Sequence, residues 1–290
     1  MCLCFYHAKD LDGKSSAAIV KTVYPTCELI GIDYGDPFPF EKITPNTTVI
    51  MVDFSIENIK GIKQIHNIAK KFIWIDHHQT AINREKEYNT QSYKENMSFV
   101  PIDGIRSNNL AGCELCWKFF YPNKEIPNNI KLLGRYDVFD LGYHEDVLPY
   151  QYGMRYYDTN PESPIWNKYI LNDNKDHYIK TIQNGHVIMK FQKEENKYIV
   201  NKYSYEMKFE NLKFICMNHS LTGSQLFDSI WDPNKYDAMM VYHRTPRNTW
   251  QFHMYTLKNN VDLSPIATQY GGGGHHDACG FEINYVPFEH

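Results

Sequence analysis

Phe72-Ile73-Trp74-Ile75-Asp76-His77-His78 is a run of four apolar residues followed at once by an acid and two imidazoles. A continuous apolar run of this length reads as a strand buried on both faces, and its polar end marks where the chain leaves the core. Thr48-Val49-Ile50-Met51-Val52-Asp53 repeats the pattern, apolar run then acid. Between them, Ile59, Ile62, Ile65, Ile68 and Ala69 recur at spacings of three and four, which predicts a helix within residues 56–69. Upstream, residues 3–7 predict another strand and residues 15–24 a helix. Strand–helix–strand alternation predicts an α/β fold with a largely parallel sheet. In such sheets ligands gather beyond the carboxyl ends of the strands. The clusters at His7–Asp12, Asp53 and Asp76–His78 all fall at that position.

Each cluster has a bland reading by itself. Asp10-Leu11-Asp12-Gly13 can be a solvated turn, Asp53 a helix cap, and Asp76-His77-His78 an exposed loop. Three such clusters at successive strand ends favour a metal-binding edge instead. Carboxylates suit hard divalent ions, and manganese also accepts imidazole.

Residues 176–207 read as a long, charge-rich helix interrupted by Gly185, suited to connecting two domains. Beyond it, residues 212–218, 238–243 and 249–256 predict strands, and residues 224–231 a helix. Ser264-Pro265 opens a short helix, with Ser264 as its cap. That helix stops at Gly271-Gly272-Gly273-Gly274, with His275 next. Glycines let backbone amides approach a phosphate without Cβ interference. His275 can then meet a phosphate oxygen or a sugar. The expected organisation is a catalytic domain at 1–190, a helical connector at 191–206 and a smaller α/β substrate-binding domain at 207–290. The active site is expected in the cleft.

The 290 residues carry a formal net charge of -4, with a pI near 6.3. That argues against a broad basic track for long nucleic acid. No apolar run reaches the roughly 18–20 residues needed to span a bilayer, and the first residues lack a basic leader. The chain therefore reads as cytoplasmic, with no membrane partner. Seven cysteines at irregular spacing argue against a disulfide framework. Cys113 and Cys116 share a helix face and read as packing residues.

Taken together, these motifs resemble the DHH phosphoesterase superfamily from about residue 5 to about residue 281. Asp76-His77-His78 stand at its naming motif. Gly271 to Phe281 resembles the glycine-rich motif of its C-terminal, nucleotide-handling domain. Within the superfamily the chain is most similar to nanoRNase B-type oligoribonucleases, through Asp10-Leu11-Asp12-Gly13 and His253-Met254-Tyr255-Thr256. The resemblance implies two divalent ions, manganese first and magnesium as the alternative. His7 and Asp10 would bind one, Asp12 and His77 the other, with Asp53 bridging and Asp137 beside them. Asp140 competes with Asp137. His78 would face the phosphoryl group, and Asp76 would orient the histidines. Gly272, Gly273, Gly274 and His275 would hold substrate. RecJ-type and nanoRNase A-type relatives carry an arginine near positions 255–256, and Lys258, Arg244 or Arg247 would have to replace it here. The implied activity is hydrolysis of short single-stranded oligonucleotides or dinucleotides to mononucleotides, from the 3′ end, with room for a homodimer. The alternatives are a cyclic-dinucleotide or small-nucleotide phosphodiesterase or phosphatase and, in a different class, a non-catalytic nucleotide-binding protein.

Overall fold

The computed structural model describes residues 1–95, 100–220 and 223–288. It divides into two units, Met1–Ile188 and Met189–His290.

The first unit runs β1 (Cys2–His7), α1 (Leu11–Val23), β2 (Glu28–Ile32), β3 (Thr48–Val52), α2 (Ile59–Ile68), β4 (Lys71–Ile75), α3 (Gln79–Glu95), α4 (Gly112–Phe120), α5 (Asn128–Asp137) and α6 (Val147–Met154). Its four strands lie in the order β2-β1-β3-β4, all parallel. Strand side chains alternate between faces, so each face has its own core. Cys4, Ile50, Val52, Ile73 and Ile75 pack with α1, α4, α5 and α6. Leu3, Phe5, Val49, Met51 and Trp74 pack with α2 and α3. Chain order reverses between β1 and β3, with α1 and α2 on opposite faces. That makes a crevice at the carboxyl end of these strands. Val52 pairs with both Tyr6 and Ile75, so His7, Asp53 and Asp76 emerge side by side.

One boundary differs from expectation in a way that matters for the site. α1 begins at Leu11 rather than Ser15, because Asp10 caps it by accepting the Gly13 amide at 2.9 Å. Asp12 is therefore fixed on a helical turn instead of a solvated one. Gly13 lies inside the helix, where a Cβ would strike the His7 carbonyl.

α7 (Lys175–Tyr203) is continuous through Gly185, whose missing Cβ leaves room for the Pro149 backbone. The division between units falls within this helix. The second unit adds β5 (Tyr205–Phe209), β6 (Leu212–Asn218), β7 (Ala238–Arg244), β8 (Trp250–Tyr255), α8 (Ser264–Gln269), β9 (Gly273–Gly274) and β10 (Ala278–Ile283). Its mixed sheet has the order β5-β6-β7-β8-β10-β9, and only β6 and β7 pair in parallel. Glu210 and Asn211, both at positive φ, make the tight β5–β6 turn. The expected helix at 224–231 is only a short 3-10 turn, Ser224–Phe227. Ser264 sits inside α8, and Asp262 accepts both its amide at 2.9 Å and its hydroxyl at 2.6 Å.

Among the described residues no helix is long and apolar enough to cross a membrane. All seven cysteines are free thiols, and Cys113 and Cys116 are buried in the core against the sheet.

Candidate metal centre

Three strand ends deliver the acids and imidazoles. His7 closes β1 and lies 2.6 Å from Asp10 Oδ2 through Nδ1. Asp53 follows β3 with φ at +49°, a left-handed conformation that aspartate tolerates better than most residues. Its amide donates to the Ile75 carbonyl at 2.9 Å, holding the bend against β4. Asp76 is fully buried after β4, and its Oδ1 accepts the His78 amide at 3.0 Å and faces His78 Nδ1 at 2.7 Å.

Asp12 comes from α1 but is held from α4. Its two carboxylate oxygens accept the amides of Gly112 at 2.7 Å and Cys113 at 2.8 Å. These are the first two amides of that helix, whose dipole favours a negative charge there. Asp137 ends α5. Glu114 pairs with Arg135 and so ties α4 to the last turn of α5.

The side chains converge as interlocking sets. His7, Asp10 and Asp53 form one, and Asp12, His77 and Asp137 another. Asp53 lies between them: Oδ2 is 3.9 Å from His7 Nδ1, and Oδ1 is 3.3 Å from His77 Nε2. His77 Nε2 also lies 3.2 Å from Asp137 Oδ2 and 3.6 Å from Asp12 Oδ2. Asp140 is instead exposed and 3.6 Å from the Arg135 guanidinium. Asp53 Oδ1 and His77 Nε2 are buried, face one another and make no hydrogen bond of normal geometry. A buried carboxylate oxygen and a buried ring nitrogen turned to one point are what a cation would satisfy.

The amino-terminal part of the chain has known counterparts. Residues 2–136 match the DHH family, N-terminal domain. Across most of its length the chain is 26% identical to an uncharacterized protein of Acanthamoeba polyphaga mimivirus, covering 98% of this chain and 69% of that protein. In three dimensions it is similar to the DHH domain of a member of a ribosomal-protein family. The TM-score is 0.59 and the identity 14%, over 97% of this chain and 82% of that one. It is also similar to PggH, a pGpG-specific phosphodiesterase from Vibrio cholerae. There the TM-score is 0.52 and the identity 12%, over 97% and 92% of the two chains. At these identities the two structures speak for the fold.

The first unit also contains site neighbours with no local sequence signal. Gly112 is one: a Cβ there would lie 2.8 Å from Asp12 Oδ2 and 2.9 Å from Asp53 Cβ. Asp33, just past β2, has Oδ1 3.7 Å from His7 Nε2 and is paired with Lys9 at 2.5 Å. Tyr34 follows it, with its ring centroid 5.3 Å from that of His7 and 6.2 Å from that of His78.

Crowding of acids sets the proton chemistry of the site. Burial opposes a charge on His77, but the carboxylates of Asp137 and Asp53 outweigh it and push its pKa up to about 11. Burial, helped by the Asp137 charge, raises Asp12 to about 6. Burial and Asp12 together push Asp53 well above the usual carboxylate range. The His77 proton thus occupies the place that a cation would take, and a metal held by this set would have to displace it. Affinity for Mn²⁺ should therefore rise with pH through the whole range below about 11, by about tenfold per unit for that one proton. Below about pH 6 the rise should be steeper, because Asp12 also gives up a proton. Calorimetric titration with Mn²⁺ from mildly acidic to mildly alkaline pH checks this, and a flat profile would remove His77 from the ligand set.

In the second unit the glycine run is partly committed to its own fold. Gly271 and Gly272 donate their amides to Thr268 and Ala267, and His275 donates to Ala278. The His275–Ala278 bond makes Gly274–Cys279 the non-bonded pair of the β9–β10 ladder, so the Gly274 amide turns to the open sheet edge. Gly274 has φ at +135°, and a Cβ there would meet Cys279. The His275 side chain is exposed. The three candidate cations are engaged: Lys258 with Asp237 at 2.9 Å, Arg247 with Glu282 at 2.9 Å and Arg244 with Asn248 at 3.3 Å.

Proposed function

We propose that this chain is a metal-dependent phosphodiesterase that hydrolyses short oligonucleotides to mononucleotides from the 3′ end. Asp53 carries the reading: its two oxygens face two interlocking sets of acid and imidazole groups, as a bridge between two divalent ions would. His7 and Asp10 would hold one ion and Asp12, His77 and Asp137 the other, with manganese matching the mixed carboxylate–imidazole donors. Ions held this way would acidify a bound water and would offset charge on the phosphoryl oxygens. The protein's part is orientation. Asp76 fixes the His78 ring through Nδ1, leaving Nε2 to meet a phosphoryl oxygen. The amides of Gly112 and Cys113 keep Asp12 from turning away. Gly272, Gly273, Gly274 and His275 would hold the nucleotide end, chiefly through the Gly274 amide and the His275 ring.

Purified protein with Mn²⁺ should convert end-labelled di- to pentanucleotides to mononucleotides, and intact substrate after prolonged incubation would sink the reading. A second reading is a phosphodiesterase confined to dinucleotides. One observation favours it: a protein of the same fold is a pGpG-specific phosphodiesterase. Relative rates on pGpG, its cyclic precursor, 3′-phosphoadenosine 5′-phosphate and a pentanucleotide separate the two.

A further inference from the structure

We propose that Tyr34 is the stacking platform for the nucleobase next to the scissile phosphate, and so a determinant of nucleotide over simple phosphoester substrates. This rests on the phosphodiesterase reading of the same site. The residue stands on a built turn. Asp36 donates its amide to the Asp33 carbonyl at 3.1 Å, and Gly35 follows Tyr34 at φ +92°. This is a type II turn with Tyr34 at its first corner and the required glycine at its second. Asp33 pins it further: Oδ1 accepts the Tyr34 amide at 2.8 Å, and Oδ2 pairs with Lys9 at 2.5 Å.

The ring is held from below but open above. Its centroid is 5.4 Å from Phe54, 5.3 Å from His7 and 6.2 Å from His78. Phe54 is buried directly after the bridging Asp53, whereas Tyr34 is 44% exposed. A large aromatic left that open in contact with two site imidazoles needs an explanation other than core packing. A phosphate between His7 and His78 would bring its attached nucleoside beside this ring. A base offers a π-face of matching size whatever its identity, and stacking on an aromatic is sequence-tolerant.

The test compares wild type, Tyr34→Ala and Tyr34→Phe on a dinucleotide and on the same dinucleotide with one abasic position. Wild type should prefer the base-bearing substrate by about tenfold in kcat/KM, in the range stacking supplies. Tyr34→Ala should lose that preference, through KM rather than kcat, and Tyr34→Phe should keep it. Equal preference in wild type and Tyr34→Ala overturns the proposal, as does Tyr34→Phe behaving like Tyr34→Ala. If wild type hydrolyses neither substrate, the phosphodiesterase reading falls, and calorimetric binding of AMP in the presence of Mn²⁺ still decides the role of Tyr34. Weaker binding by about tenfold in Tyr34→Ala supports it, while unchanged or absent binding in both proteins overturns it.

Discussion

Asp53→Asn should lower kcat by about a thousandfold or more while leaving the protein folded and no less stable without metal. The substitution keeps size and shape, and asparagine accepts the φ of +49° at least as readily as aspartate. The amide bond to Ile75 is made by the backbone and survives. What disappears is the charge that the two ligand sets share, and an amide cannot bridge two cations. Losing one preorganised electrostatic group typically costs ~10²–10³ in kcat, and losing the proposed bridge would remove support for both ions. Stability should move the other way. Asp53 is buried, and its neighbour Asp12 helps push its pKa well above the ordinary carboxylate range. A neutral side chain escapes that repulsion, so the metal-free melting temperature should rise, by about 3 °C for each 1 kcal/mol relieved. Mn²⁺, expected to raise the wild-type melting temperature, should then raise that of the variant little or not at all. Circular dichroism melts with and without Mn²⁺, beside initial rates on a dinucleotide, check both halves. Activity within tenfold of wild type would remove Asp53 from the bridge.

The parts of this arrangement that could be read in sequence are those written within one strand. β3 and β4 show themselves as apolar runs because helices cover both faces of the sheet, and their terminal acids are visible because a charge stands out at the end of such a run. Parallel order followed from the helices between strands, and from it the shared edge for His7, Asp53 and Asp76. Asp10-Leu11-Asp12-Gly13 was harder. Its residues suit a turn as well as a helix start, and what decides is the Asp10 carboxylate accepting the Gly13 amide, with the missing Cβ of Gly13 leaving room for the His7 carbonyl. The grip on Asp12 had no local signal, since its partners lie 100 and 101 positions away and are backbone amides, which any residue but proline supplies. Tyr34 was equally hidden, being a loop aromatic among 22 tyrosines. The glycine run was visible as composition, but the use of its amides was not. Pairing with β10 and the end of α8 claims the amides of Gly271, Gly272 and His275, and that depends on a hairpin whose β9 strand is two residues long.

Gly112→Ala should be nearly as damaging as loss of a ligand, although Gly112 touches no metal in the proposed mechanism. The added methyl would lie 2.8 Å from Asp12 Oδ2, 2.9 Å from Asp53 Cβ and 3.0 Å from Asp53 Oδ1. Real Cβ atoms do not tolerate the first two distances, so something must move. Asp12 cannot swing aside cheaply, because the Gly112 and Cys113 amides hold both its oxygens and it is buried. Asp53 is fixed by its backbone bond to β4. The remaining response is a shift of the α4 start away from α1, against a contact surface formed by Ala17, Ala18, Cys113 and Cys116 in one core. Overpacking of this kind costs about 1–3 kcal/mol. A displacement of Asp12 by about 1 Å should lower kcat by about a hundredfold, since the ligands of both sets move apart. Gly142→Ala is the matched control: it lies in the same unit with nothing within 4 Å of its would-be Cβ, and its effect should stay within about 0.5 kcal/mol. The two variants separate a general cost of replacing glycine from a specific one. Gly112→Ala with wild-type turnover and undiminished Mn²⁺ affinity would mean that the amides of α4 do not position Asp12 for catalysis.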